Sequence, residues 1–97
     1  MNDLKGKKAL ITGGSRGIGA AIALTLASKG VDVAMSYHAQ EAQAQAVLQQ
    51  AKSLGVKALA TQVDVKDFTK VKEWVDYVKK DFGTIDILVN NAGMTID

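Results

Sequence analysis

Apolar residues follow two patterns along the chain: short continuous runs, and longer stretches in which they recur every three or four positions. The runs are typical of strands buried on both faces, as in a parallel sheet. They predict strands over residues 7–12, 31–37, 56–63 and 85–89. The wider spacing predicts helices over residues 17–29, 39–54 and 68–82. The chain is therefore expected to alternate between strand and helix.

The third predicted helix carries the clearest apolar stripe. Asp67 is its predicted N-cap, and Gly83 is its predicted stop. Spacings of three and four residues join the members of the stripe, which are Phe68, Val71, Val75, Val78 and Phe82. Trp74 lies close to this stripe but off its centre, so it could cover an edge or an association surface.

Four strands alternating with three helices predict βαβ units on a parallel sheet. Right-handed crossovers place the first two helices on one face. If the fourth strand returns beside the first, the strand order is 3-2-1-4 and the third helix covers the other face. The expected fold class is thus α/β, with three layers, and residues 1–97 are expected to form one domain.

Composition narrows the class of protein. With 47% hydrophobic and 23% charged residues, the sequence is typical of a soluble globular protein. Twelve basic and ten acidic residues leave a net charge of +2, which argues against nucleic acid or an acidic membrane as partner. The absence of cysteine and the single histidine, His38, argue against disulfides and thiolate or histidine metal sites. With no apolar stretch of membrane-spanning length and no signal-peptide pattern, the chain is expected in the cytoplasm.

A glycine-rich segment joins the first predicted strand to the first predicted helix, and it reads Thr12-Gly13-Gly14-Ser15-Arg16-Gly17-Ile18-Gly19. Glycine allows positive φ and lets the backbone approach a ligand, while a helix N-terminus attracts anions. The segment therefore predicts a site for a dinucleotide pyrophosphate. The alternative is a tight strand-to-helix turn, which needs one glycine more readily than three, and Gly14 could be a permissive turn residue.

The end of the second strand bears on cofactor choice. Sites that prefer NAD usually place an acidic residue there to hold the ribose 2′-hydroxyl. This chain has Ser36, Tyr37 and His38 instead, and Arg16 could attract a 2′-phosphate. NADP(H) is therefore favoured over NAD(H). His38 could assist when protonated, although a lone loop histidine is more often a bystander.

Three motifs in register resemble the short-chain dehydrogenases/reductases. The glycines at 13, 17 and 19 have the spacing of that family, Asp64-Val65 follows the third strand, and Asn90-Asn91-Ala92-Gly93 follows the fourth. The run over residues 82–93 is most similar to the branch of 3-oxoacyl-[acyl-carrier-protein] reductases and acetoacetyl-coenzyme A reductases.

The resemblance implies the dinucleotide-binding half of a Rossmann-like fold and an NAD(P)(H)-dependent oxidoreductase. It implies that Asp64 contacts adenine, that Asn90 steadies the sheet, and that the backbone of Ala92 and Gly93 lies close to the cofactor ribose. Together with the residues derived above, the expected cofactor-binding set is Gly13, Ser15, Arg16, Gly17, Ile18, Gly19, Ser36, Tyr37, Asp64, Val65, Asn90, Ala92 and Gly93.

The family's catalytic Asn, Ser and Tyr-x-x-x-Lys belong to the part of the fold that follows the fourth strand. Neither tyrosine of this sequence begins that motif, because Tyr37 is followed four residues on by Glu41 and Tyr77 by Asp81. The chain alone is expected to be catalytically inactive. A nucleotide-binding or regulatory module without chemistry, and a structural module whose function is assembly, stay open as alternatives.

The fourth strand has further consequences for association. In a half-fold it becomes an exposed apolar edge, and part of the sheet beside the third helix stays uncovered. A homo-oligomer through that strand or that face is therefore expected.

Overall fold

Four parallel strands form one sheet, and three helices connect them, in the part of the chain that the computed structural model describes, residues 4–15 and 17–91. The elements are β1 (Lys8–Thr12), α1 (Gly17–Ser28), β2 (Asp32–Tyr37), α2 (Glu41–Ser53), β3 (Ala58–Gln62), α3 (Phe68–Phe82) and β4 (Ile87–Asn90). The strand order is β3-β2-β1-β4, and every neighbouring pair is parallel. The predicted order and fold class are confirmed.

The sheet has a core on each face. Ile11 and Met35 belong to the core that α1 and α2 cover, to which α1 contributes the buried Ala23 and Ala27. Alanine has a small side chain, so this helix can lie close to the strands. Leu10 belongs to the opposite core, formed with α3. Successive residues of β1 thus point into different cores, which explains its continuous apolar run.

Helix α3 begins and ends as predicted. Val78 and Phe82 of the predicted stripe are buried and Val71 and Val75 pack against the same core, but Phe68 does not belong to it. Asp67 accepts a hydrogen bond at Oδ1 from the Lys70 backbone N–H, at 3.2 Å, and caps the helix. Phe68, placed in the core by its spacing, is 84% exposed, whereas Trp74 is only 3% exposed and packs with Val78 and Phe82. Residues 74, 78 and 82 are four apart, so these three residues share one helix face, as the members of the predicted stripe also do.

Charged side chains join the four strands at the amino end of the sheet. The Asp32 carboxylate forms an ion pair with the Lys8 ammonium group and accepts a hydrogen bond from the Lys57 backbone N–H at 2.8 Å. The Lys8 backbone N–H donates to Asp86 Oδ2 at 2.9 Å. These contacts link the start of β1 to the starts of its neighbours, and they leave the carboxyl end of the sheet to the glycine loop.

No helix among the described residues combines the length and the apolar character that crossing a membrane requires. Those residues also contain no cluster of three His, Cys, Asp or Glu side chains that could hold a metal ion.

Candidate functional site

The loop after β1 is fastened to the end of β2. Gly13 has a φ of +68°, and its N–H donates to Ser36 Oγ at 3.3 Å. The next N–H, of Gly14, donates to the backbone carbonyl of Ser36 at 3.0 Å. Ser36 is buried, so its hydroxyl accepts the Gly13 hydrogen bond from beneath the loop. The loop therefore keeps a fixed position relative to the second strand.

The same loop is fastened to the end of β4. Asn91 Nδ2 donates to the Gly13 carbonyl oxygen at 3.0 Å, and the Thr12 hydroxyl donates to Asn90 Oδ1 at 3.1 Å. Asn91 is not among the predicted site residues. The signal that could have identified it is its place in the Asn-Asn pair that follows a strand neighbouring β1 in the predicted order.

Gly19 packs the first turn of α1 directly onto this loop. A Cβ at Gly19 would lie 2.1 Å from the Gly13 carbonyl oxygen and 2.7 Å from Asn91 Nδ2. Gly17 has room for a side chain, but its φ is +62°, a conformation that disfavours one. Both glycines therefore keep the amino end of α1 against an unobstructed loop backbone, as a helix-terminal anion site requires.

Gly14 is glycine for a different reason. Its φ is not positive, but a Cβ there would lie 2.7 Å from the Cβ of Met35 in the core. It serves the packing of the loop on β2, beyond the role of permissive turn residue considered from sequence.

Two adjoining cavities open at the carboxyl ends of the strands. One, of about 380 Å³, lies at the glycine loop and is lined by Gly13, Ser15, Gly17, Tyr37, His38, Ala39, Gln40 and Asn91. The other, of about 280 Å³, lies toward β3 and is lined by Gly13, Ser36, Tyr37, His38, Val63, Asp64, Val65 and Lys66. They share Gly13, Tyr37 and His38, so they adjoin and together form a depression along the strand ends. The glycine-loop cavity includes Asn91, which follows β4, so this part of the depression reaches the point where the strand order reverses, the usual ligand site of open α/β sheets.

Asp64 lines the cavity on the β3 side. Its Oδ1 accepts a hydrogen bond from the Lys66 backbone N–H at 2.9 Å, and its Oδ2 lies 4.0 Å from His38 Nε2. Because Asp67 is the residue that caps α3, the Asp64 carboxylate is left at the cavity. A carboxylate thus lies near the end of β2 after all, although it comes from the end of β3.

The structure gathers about half of the predicted site residues around the depression. Its lining includes Gly13, Ser15, Gly17, Ser36, Tyr37, Asp64 and Val65. Gly19 lies beneath the loop, Ile18 is exposed, and Asn90 lines an apolar groove that shares only Val65 with the depression. Arg16, Ala92 and Gly93 lie outside the described residues. His38 and Lys66 also line the depression and are not among the predicted site residues.

The arrangement fits a dinucleotide. A glycine backbone and a helix N-terminus suit a pyrophosphate, and a cavity with a carboxylate acceptor suits a base that carries an amino group. The described loop residues between β1 and α1 carry no negative charge that would oppose an anion.

Comparison with known proteins gives the family. A family model described as short chain dehydrogenase matches residues 7–97. The 3-oxoacyl-[acyl-carrier-protein] reductase of Staphylococcus epidermidis is 47% identical over 91 residues, which are 94% of this chain and 37% of that protein. A short chain dehydrogenase from Burkholderia cenocepacia J2315, solved in complex with NADP, superimposes with a TM-score of 0.92 at 54% identity, over 96% of this chain and 38% of that one.

A more distant structure carries the other cofactor. Carveol dehydrogenase from Mycobacterium avium, in complex with NAD, superimposes with a TM-score of 0.91 at 30% identity, over 100% of this chain and 39% of that one. The chain thus spans between 37% and 39% of the length of these proteins. Because the family model matches nearly the whole sequence, this chain belongs to the short chain dehydrogenase family.

Proposed function

We propose that residues 1–97 form the amino-terminal dinucleotide-binding half of an oxidoreductase. The complete protein would transfer hydride between NADP(H) and a carbonyl or hydroxyl carbon, with a 3-oxoacyl thioester as the candidate substrate. The observation that carries the proposal is the glycine loop held between the ends of β2 and β4 by Ser36 and Asn91. The substrate class rests on the identity to the staphylococcal reductase.

The loop and the amino end of α1 would hold the pyrophosphate. The N–H groups of Gly13 and Gly14 already bond to Ser36, so we assign the phosphate contacts to the N–H groups from Ser15 through Ile18. Gly19 would keep the helix close enough for those contacts. The Ser15 hydroxyl and the Arg16 guanidinium would supply further donors.

The adenosine would lie in the β3-side cavity. Ser36 and Tyr37 would form its floor, the Asp64 carboxylate would accept from the adenine amino group, and Val65 would pack on the ring. Bound NADP(H) supplies the hydride chemistry. On the β4 side, Asn90 would hold the strand end through Thr12, and the backbone of Ala92 and Gly93 would lie beside the ribose.

The preference for NADP(H) over NAD(H) is the finer part of this proposal. Its support is that β2 ends without a carboxylate of its own and that the sequence of the glycine-rich segment includes the positively charged Arg16. One solved structure similar to this chain is in complex with NADP and another is in complex with NAD, so the preference has to come from this chain's own residues.

Fluorescence titration of the chain with NADPH, and separately with NADH, tests cofactor binding. We expect a saturable change with both and tighter binding of NADPH. Tighter binding of NADH would contradict the preference. No saturable change with either would contradict the nucleotide site and leave assembly as the function.

A second experiment separates an oxidoreductase half from a nucleotide-binding module without chemistry. The chain alone, with NADPH and acetoacetyl-coenzyme A, is expected to show no turnover above background. A fusion in which Asp97 is followed by the corresponding remainder of the staphylococcal reductase is expected to oxidise NADPH. A fusion that is folded and binds NADPH without turnover would favour the non-catalytic alternative.

We also propose that the 97-residue chain associates with a second copy through β4. This strand is an edge of the sheet, and its Leu88 is 67% exposed. An adjoining apolar groove of about 450 Å³, lined by Leu10, Thr12, Val65, Phe68, Val71, Trp74, Val75, Ile85, Leu88 and Asn90, contains no charged side chain among those residues. An uncharged edge strand can pair with its own copy about a twofold axis without like-charge repulsion.

A further inference from the structure

Four lysines lie where strands begin, at the amino end of the sheet. Lys8 is the first residue of β1, Lys5 and Lys7 lie just before it, and Lys57 directly precedes β3. The Asp32 backbone N–H donates to the Lys7 carbonyl oxygen at 2.9 Å, so the segment that leads into β1 runs beside the start of β2. These four cations therefore lie along the starts of neighbouring strands.

Four more lysines reach the same end from the helices. A helix that connects two parallel strands runs antiparallel to them, so its carboxyl end lies at the amino end of the sheet. Lys29 directly follows α1, Lys52 lies in the last turn of α2, and the last turn of α3 contains Lys79 and Lys80. Except for Lys8, all eight of these lysines are exposed. The fold thus gathers at one surface, here called the basic end, cations that are far apart in the sequence.

Few carboxylates oppose the charge of the basic end. Asp32 forms an ion pair with Lys8, Asp81 Oδ2 lies 2.9 Å from Lys57 Nζ, and Asp86 accepts a hydrogen bond from the Lys8 backbone N–H. Eight lysines and these three carboxylates give the basic end a formal charge of +5. The other described residues carry three lysines and five carboxylates, a formal charge of −2 with the histidine neutral. The net charge of +2 for the whole chain therefore hides a strongly basic surface.

Helix dipoles explain only part of the basic end. Each helix carboxyl end carries roughly half a negative charge, so the three helices together offset about 1.5 positive charges. Lys52, Lys79 and Lys80 suffice for that role. Lys5 and Lys7 lie outside the helices and form no ion pair with a described residue. An excess of positive charge therefore remains at this surface.

We propose that the basic end docks an acidic surface of a partner protein. Complementary charge speeds the encounter of two proteins and fixes their relative orientation. Leu54 follows α2 at the same end and is 48% exposed, so it adds an apolar contact of the kind that polar rims surround in protein interfaces. The proposed nucleotide site lies at the opposite end of the sheet, so the nucleotide and the partner protein can be bound at once.

The composition of the basic end favours a protein over a nucleic acid. All eight cations are lysines, whereas phosphate recognition favours the planar fork of arginine. The Phe82 ring centroid lies 5.9 Å from Lys8 Nζ and 5.6 Å from Lys57 Nζ, but Phe82 is buried and offers no surface on which bases could stack. The three carboxylates among the lysines would repel a polyphosphate, whereas they can accept hydrogen bonds from a protein partner.

Fluorescence anisotropy of labelled poly-L-glutamate, titrated with the full chain at about 0.05 M salt, tests the proposal. We expect saturable binding that weakens about tenfold when Lys7→Gln, Lys52→Gln and Lys79→Gln are combined, because each exposed charge contributes modestly to binding. All three side chains are exposed, so the triple variant should fold normally, which circular dichroism checks.

The matched control combines Lys66→Gln, Lys70→Gln and Lys72→Gln. It removes the same number of charges outside the basic end, and we expect it to weaken binding less than about twofold. Equal losses in the two triple variants would mean that binding follows net charge alone, and they would overturn the basic end as a docking surface. No saturable binding of poly-L-glutamate would overturn it as well.

Two further probes test the class of partner. Duplex DNA and vesicles of phosphatidylglycerol are titrated with the unchanged chain at the same salt concentration. We expect both to bind more weakly than poly-L-glutamate. Tighter binding of either probe would overturn the proposal of a protein partner and assign the basic end to a nucleic acid or to an anionic membrane surface.

Discussion

Gly19 shows how a single missing Cβ holds the site together. Alanine there would place its Cβ 2.1 Å from the Gly13 carbonyl oxygen, so the loop and α1 would have to separate. We expect Gly19→Ala to weaken NADPH binding at least about tenfold and to cost about 1–3 kcal/mol of unfolding free energy, as overpacking does. Fluorescence titration and urea unfolding measure the two effects.

Gly55→Ala is the matched control for that change. Gly55 has a φ of +89°, and a Cβ there would meet no other atom within 4 Å, so alanine would strain the backbone by about 1 kcal/mol at a place outside both cavities. The expected result is lower stability with unchanged NADPH affinity. Equal affinity losses in both variants would mean that Gly19 acts through stability alone.

For single residues, the sequence predicted which glycines form the loop but not the contacts that each glycine makes. The spacing identified Gly13, Gly17 and Gly19 as one loop. The contact of Gly14 with Met35 and the bond from Asn91 to Gly13 depend on how neighbouring strands pack, which no local pattern contains. Ser36 could be placed at the end of β2, but its burial beneath the loop follows from the tertiary fold.

Among the elements, α3 provides the sharpest test. Trp74 is buried against the sheet and Phe68 is exposed. The spacing had predicted the opposite, with Phe68 in the apolar stripe and Trp74 off its centre. Trp74→Ala should therefore cost about 3–5 kcal/mol or prevent folding, as large core truncations do. Phe68→Ala should change the unfolding free energy of the monomer, measured at a concentration low enough to prevent association, by less than about 0.5 kcal/mol. Urea unfolding followed by circular dichroism measures both, and a larger effect at Phe68 would contradict the position of the helix.

Strand order was predictable because it follows from chirality and alternation, which are global rules. The ends of the strands were harder to predict than their order. For β3 the apolar pattern predicts residues 56–63, whereas the strand spans Ala58–Gln62. Val56 has a strand-like side chain, but the paired residues of β2 and β3 run from Val33 with Ala58 to Tyr37 with Gln62. Hydrogen bonds to β2 reach one residue past each end, because the Val33 N–H donates to the Lys57 carbonyl oxygen at 3.0 Å and the Val63 N–H donates to the Tyr37 carbonyl oxygen at 2.8 Å. Hydrogen-bonded partners, rather than residue type, decide where a strand stops.

Over the whole molecule, the two ends of the sheet have different tasks. At the amino end, the Asp32 carboxylate forms an ion pair with the Lys8 ammonium group and accepts a hydrogen bond from the Lys57 backbone N–H, and the Lys8 backbone N–H donates to the Asp86 carboxylate. At the carboxyl end, the polar groups of Ser36 and Asn91 are directed to the glycine loop. The strands are thus joined by charged side chains at one end of the sheet, and the other end carries the proposed nucleotide site.

Association through β4 is the remaining property of the whole molecule. A lysine at Leu88 would place a charge on each copy at the proposed twofold contact, and like charges on facing edge strands oppose pairing. We expect light scattering after size exclusion to show a dimer for the unchanged chain at low micromolar concentration and a monomer for Leu88→Lys. Leu54→Lys, at an exposed leucine that follows α2, is the matched control and should stay dimeric. A compact monomer of the unchanged chain would contradict the contact, and a dimer that survives Leu88→Lys while Leu54→Lys disrupts it would move the interface to the α2 side.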